Sequence, residues 1–380
     1  VSESGGTLNG TTNRDRTNYF ETVPSNQLET ALWLEADRMG FLLDAVTQQK
    51  FEVQRETVKN ERGQNYDNRP YGLVYEMTSK NLYPYGHPYS WTTIGYIEDL
   101  NRVDVNDLKN FFLRWYGPNN ATVTVGGDVK PAEVVKLVEK YFGAIPAGPA
   151  VQDMKPMVAK LDKDRYVSYE DNIRFPMLRM TFPTPEAGHK DEPALDVLAE
   201  VLGQGKNSIF YKNFVKDQKA MQASTFNSTS ELAGEFGITV VTFPTNNLAD
   251  MESLVRQSIA EFETRGISDD DLIRFKASAE SSLINRMASV SGKVSQLASY
   301  ETFRNNPNYI QEEIKRINAV TKEDVMRVYN QYIKGKPSVI LSVVPKGKPE
   351  MVAKADNYTI SKDGYVAGPD EYSGLKYTKA

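Results

Sequence analysis

The 380-residue sequence contains no cysteine, which excludes disulfides, thiolate nucleophiles and cysteine-held metals. It contains only two histidines, His87 and His189, too far apart to form a ligand pair at helical spacing. No apolar run approaches the length of a membrane span. Neither sign of charge dominates: 45 basic and 50 acidic residues leave a net charge of −5. With no basic aromatic stripe, that balance argues against a nucleic-acid binder. What is present is ordinary for a globular protein, 40% hydrophobic and 25% charged, and long enough for about two domains. The absence of cysteine fits periplasm and cytoplasm alike; the expectation is a periplasmic or secreted protein, with the cytoplasm as the alternative. The chain opens on Val1 in turn-forming residues, "VSESGGTLNG", and this beginning reads as a cut.

The chain repeats itself. "TVPSNQLE" from Thr22 returns as "TFPTNNLA" from Thr242, 220 residues later. Each copy follows a β-like run, "TNYFE" or "GITVV", and precedes an amphipathic helix. In the first copy Leu28, Leu32, Ala36, Met39 and Leu43 form the apolar stripe, with Ser25 the expected N-cap. A second pair agrees: "VDVNDLKNFFLRWYGPNNATVTV" from Val103 and "VTKEDVMRVYNQYIKGKPSVILSV" from Val320, 217 residues apart, each read as helix, turn and strand. Asp107 matches Asp324, Phe111 matches Val328 and Trp115 matches Tyr332. The expected fold is α+β: two homologous layered domains, each a mostly antiparallel sheet with helices packed on it. The expected boundaries are 1–148 for the first domain, 149–164 for a Pro- and Gly-rich linker, 165–345 for the second domain, and 346–380 for a connector or arm. By the repeat, the first copy lacks a counterpart of the helical stretch 191–217.

The stretch "FEVQRETVKNERGQNYDNRPYG", residues 51–72, begins as helix. Phe51, Gln54, Val58 and Glu61 share one face, and Phe51 and Val58 turn that face inward. A carboxylate there needs a partner, because an unpaired buried charge is costly.

Read in order, "GGTLNGTTNRDRTNYFETV", "LEADRM", "QRETVKNERGQNYDNRPYG", "YGHPYSWTTIG" and "YGPNNATVTVGGDV" resemble the pitrilysin/insulinase-type zinc metallopeptidases over most of residues 5–146. The second copy resembles the non-catalytic second domain of the same half-molecule. The resemblance implies zinc held by two histidines of an inverted H-x-x-E-H helix and by a later glutamate, with the motif's own glutamate as general base. Glu61 matches that third ligand. The H-x-x-E-H segment would lie ahead of Val1, on the helix that the repeat also calls for. Many relatives carry a second glutamate seven residues before the ligand; here Gln54 stands in that place and adds no negative charge.

Asn9, Gly10 and Thr11 match the family's active-site edge strand, on which extended substrate is added as an extra strand. The same three residues also read as a Gly/Asn turn at a domain edge. His87 reads as a packing residue of the loop "YGHPY", and His189 as a loop residue before a helix. "GQGKNS" at 203–208 lacks phosphate-loop spacing. The implied function is a zinc endopeptidase cutting extended peptides in a closed chamber formed with a second half or a homologous subunit. This chain, without the histidine ligands, is expected to be inactive alone and to hold no catalytic zinc. The rival reading is a non-catalytic scaffold or peptide-binding subunit of the same family.

Overall fold

The computed structural model describes residues 1–375; the last five residues of the expected arm 346–380 lie outside the described residues. The first region opens with strands β1 (Thr7–Thr12) and β2 (Thr17–Thr22), followed by helices α1 (Leu28–Ala45), α2 (Gln48–Arg62), α3 (Val74–Leu82), α4 (Ile97–Arg102), α5 (Val105–Trp115) and α6 (Pro131–Phe142). The second region contains β3 (Arg165–Asp171), β4 (Met177–Thr184), α7 (Glu192–Gly203), β5 (Ala220–Thr229), β6 (Gly234–Thr242), α8 (Leu248–Arg265), α9 (Asp269–Arg286), α10 (Val290–Arg304), α11 (Ile310–Ala319), α12 (Lys322–Val328) and β7 (Val339–Pro345). The fold class is α+β. Five strands form one sheet in the order β3-β7-β4-β6-β5, antiparallel except for the β3–β7 pair. Among the described residues β1 and β2 pair only with each other.

The repeat is visible element by element. Helices α1 and α8 both span 18 residues and start 220 residues apart. Thr47 and Ser268 cap α2 and α9 through their side chains. Asp104 and Thr321 each complete a capping box, with Asp107 and Asp324 as the reciprocal acceptors. The hairpins agree in register: Thr7 faces Thr22 and Ser224 faces Thr239, all shifted by 217. The same main-chain bond closes both tips, Asn13 N–H to Arg16 O at 3.0 Å and Ser230 N–H to Ala233 O at 3.0 Å. The strand and the helix after it therefore carry different offsets, because β6 continues three residues past the point where β2 stops.

Three local expectations are corrected. Ser25 does not cap α1: a 3-10 turn over Ser25–Gln27 leads into the helix, and Gln27 precedes Leu28 without a side-chain cap. The stretch 191–217 is not one helix, since α7 ends at Gly203 and a separate π-helical turn covers Tyr211–Lys216. The run "ATVTV" at 121–125 forms no strand. Its composition favours extended backbone, but a strand also needs a hydrogen-bonded neighbour, and none runs beside it among the described residues.

The main core lies on one face of the five-stranded sheet, where Leu178, Met180, Phe236 and Val240 meet Leu195, Leu198 and Leu202 of α7 and Val255 and Phe262 of α8. The other face is covered by the first region: Val74, Leu82 and Tyr83 pack on Val339, Leu341 and Val343 of β7. The converse contact also exists. Helix α10 crosses 121–126, with Thr302 and Thr122 hydroxyls 3.1 Å apart. Gly126 permits this crossing, because a Cβ there would lie 2.6 Å from the Val294 side chain. Removing one capping box, as in Asp104→Ala, is expected to cost about 1 kcal/mol in chemical denaturation.

Candidate functional site

Strand β1, Thr-Leu-Asn-Gly-Thr-Thr, is short-chained and polar apart from Leu8, and every residue is exposed. Asn9, Gly10 and Thr11 lie inside this strand, so the turn reading of these residues is excluded. The Asn13–Arg16 closing bond fixes the alternation of the ladder. Residues 7, 9 and 11 point their main-chain groups at β2, and 8, 10 and 12 point theirs outward. The outward Gly10 N–H is held by the Asn9 Oδ1 at 2.8 Å. Thr11 faces β2, its N–H donating to Asn18 Oδ1 at 3.1 Å. Arg16 braces the hairpin by donating to Thr11 O at 3.0 Å.

Glu61 sits at the C-terminal end of α2 and is exposed, as is Gln54; Phe51 is buried and Val58 intermediate. The inward stripe is therefore real at its start and opens to solvent at its end. The expectation that Glu61 faces inward is corrected accordingly: among the described residues it has no hydrogen bond or ion pair. Its neighbour Arg62 supplies the anchor. Arg62 is buried, donates to Glu76 at 2.8 Å and to Gly95 O at 2.6 Å, and lies 3.3 Å from Asp67. This holds the end of α2 where the π turn Gly63–Asp67 begins. Glu61 shares no hydrogen bond or ion pair with β1.

The histidines are occupied elsewhere. His87 Nδ1 accepts from Tyr89 N–H at 2.9 Å, so Nε2 carries the proton and donates to Met157 O at 2.8 Å. Its ring stacks on Tyr83 at 4.4 Å, and burial holds its pKa below the ordinary value. His189 Nδ1 accepts from Asp191 N–H at 3.2 Å in the loop leading to α7. Among the described residues no three His, Cys, Asp or Glu side chains are grouped to hold a metal ion. The donor set present here therefore does not fit a zinc site, and Glu61 alone cannot make one.

Sequence reasoning missed a carboxyl pair beside the hairpin. Glu21 of β2 and Glu35 of α1 share a hydrogen bond, and burial first, then that bond, pushes Glu21 up to about 7. Arg38 donates to Glu35 at 3.2 Å and lies over the Tyr19 ring at 3.6 Å. The repeat carried a signal for it. Shifted by 217, Glu21 falls on Ile238, a core residue of the second copy. A folded-state carboxyl raised above its unfolded value holds a proton that the unfolded chain releases. Stability contributed by Glu21 is thus present at low pH and lost as pH rises from about 5 through 7. Glu21→Gln is expected to flatten that part of a stability–pH curve measured by urea unfolding.

Comparison with known proteins places this geometry. The model of the "Peptidase M16 inactive domain" matches residues 102–278, from the end of α4 across the linker into α9. The chain is 28% identical over 351 residues to the zinc protease PqqE of Helicobacter pylori, covering 91% of this chain and 78% of the relative. It is 23% identical over 362 residues to a probable mitochondrial-processing peptidase subunit beta of Arabidopsis thaliana, covering 91% and 66%. A crystal structure of a protease from Helicobacter pylori superposes with a TM-score of 0.82 at 26% identity, over 90% of this chain and 83% of that one. A peptidase M16 inactive domain from Pseudomonas fluorescens shares the fold, with a TM-score of 0.77 at 18% identity over 91% and 82%. The series of motifs, the doubled α+β fold and these likenesses agree: the chain is similar to the M16 peptidases, the pitrilysin/insulinase type.

Proposed function

We propose that this chain is the peptide-binding portion of a zinc-dependent endopeptidase and receives extended peptides as an added strand along β1. The observation that carries the reading is the open edge of β1, paired on one side only and exposed along its whole length. An exposed edge offers unpaired main-chain donors and acceptors in a row, to which an unfolded peptide can bond and a folded one cannot. Asn9, Gly10 and Thr11 form the substrate-binding stretch in this reading, with Leu8, Gly10 and Thr12 turning main-chain groups outward and the Gly10 N–H exchanging its bond to Asn9 Oδ1 for one to the peptide. Glu61 is the one carboxylate contributed to the metal, whose histidine ligands come from outside the residues described here. A second half or a homologous subunit closes the chamber. The alternative, a non-catalytic peptide-binding subunit, is favoured by the match to an inactive domain.

The test is a titration of the 380-residue chain with a fluorescent unstructured peptide. Proline is tolerated on an edge strand where the lost N–H faces outward. Leu8→Pro is therefore expected to keep the hairpin and weaken binding about tenfold, the loss of one main-chain bond. Undiminished binding by Leu8→Pro removes β1 from the path. Metal analysis of the chain is expected to find no stoichiometric zinc. In an enzyme reconstituted with a histidine-bearing segment, Glu61→Gln is expected to abolish most cleavage while peptide binding persists. Full cleavage by that variant overturns the assignment of Glu61.

A further inference from the structure

Arg179 stands on β4 and faces the first region, on the side of the sheet opposite the main core. It makes no hydrogen bond and no ion pair among the described residues, and its Nε is enclosed without a partner. Its guanidinium lies over the Phe226 ring at 4.7 Å. Phe226 is fixed there by Gly237 on the neighbouring strand, where a Cβ would sit 1.9 Å from the ring. The nearest carboxylate, Glu235, is already taken: Arg14 donates to it at 2.8 Å and Tyr83 at 3.1 Å. Two arginines thus share one carboxylate.

Two further buried polar atoms lack partners at the same place, Thr181 Oγ1 beside Arg179 on the same strand face and Arg14 Nε. Tyr75, which lies under Arg14 with its ring centroid 4.7 Å from the guanidinium, is exposed and marks the solvent side. A desolvated arginine without an anion is costly. Two guanidinium groups beside one carboxylate, and donors without partners, suit a negatively charged ligand at this place. Arg14 lies only two residues beyond Thr12, at the tip of the hairpin that carries β1. At about 3.3 Å per residue, a strand added along β1 points one end toward this place.

We infer that Arg179, seated on Phe226 beside the Arg14–Glu235 pair, is a specificity-determining subsite that takes a carboxylate of the bound peptide. The inference rests on the peptide reading of β1 and adds the class of substrate. The carboxylate is either an acidic side chain or the peptide's own C-terminus. A peptide running antiparallel to β1 brings its N-terminal portion to the hairpin tip and must use a side chain. A parallel one brings its C-terminus.

The experiment titrates the full chain with four otherwise identical unstructured peptides: one glutamate or one glutamine near the N-terminus, each with a free or an amidated C-terminus. The glutamate peptides are expected to bind about tenfold more tightly than the glutamine ones, or the free C-termini than the amides, with the preference shrinking as salt rises. Arg179→Gln is expected to abolish the preference, and a cooperative urea-unfolding transition of the variant reports that it is folded. Equal binding of all four peptides by the unaltered chain overturns the subsite but leaves the β1 reading standing. Binding of none overturns the β1 reading itself. A preference that survives Arg179→Gln assigns the anion to another group and overturns the role of Arg179.

Discussion

Arg14→Ala is expected to lower the unfolding free energy by about 3–5 kcal/mol, read from urea denaturation of the full chain. Arg14 projects from the tip of the first hairpin into the second region, with only 11% of its side chain exposed and 4% for its partner Glu235. It also donates to Ser79 at 2.8 Å and lies over the rings of Tyr75 and Tyr89. Truncation leaves the Glu235 carboxylate enclosed with Tyr83 as its remaining bonded partner and Arg179 nearby without a bond, and a buried charge that has lost its bonded counter-ion is the expensive outcome. Replacing both members, Arg14→Met with Glu235→Gln, is expected to recover a large part of the loss. If Arg14→Ala costs less than about 1 kcal/mol, the magnitude of a surface pair, the hairpin tip is not docked in solution.

The second large effect separates the two copies. Leu198 of α7 is fully buried in the main core, and Leu198→Ala is expected to cost about 2–5 kcal/mol by lost burial and a residual cavity. Trp33 of α1 is the larger side chain but is 49% exposed, so Trp33→Ala is expected to cost under about 1 kcal/mol. A similar cost at both positions in thermal or urea unfolding would contradict the buried and open environments described above.

What the sequence made legible was local. The apolar stripe on α1 follows helical spacing, and the structure buries Leu32, Ala36 and Leu43. The pairs Asp104–Asp107 and Thr321–Asp324 begin their helices within four residues of chain, so the repeat could be read from them directly. The departures lie where the deciding partner is remote. Residues 121–125 have strand composition, yet pairing depends on a neighbour far away in sequence. Ser25 satisfies the preferences of a cap, but the turn after Pro24 moved the helix start past it. Phe51 pointed Glu61 inward by phase, but among the described residues nothing covers that face at the end of α2. Nothing local marks Arg14, whose partner Glu235 is 221 residues away, or Arg179, which is notable for a partner it does not have.

Helix α3 packs on β7 and α10 touches the segment 121–126, so the two copies hold each other by contacts in both directions. Val339, Leu341 and Val343 share a core with Val74, Leu82, Tyr83 and Tyr89 of the first region, and Thr122 and Gly126 are touched by a helix that starts at Val290. Two copies that are distinct in sequence are therefore not separable in structure. A protease nick in the linker should leave the halves clasped, whereas either half made alone would present an apolar sheet face or an uncovered chain segment to water. The sheet face of the second copy is the inner wall of the first, so the shape of one copy is a condition for the packing of the other.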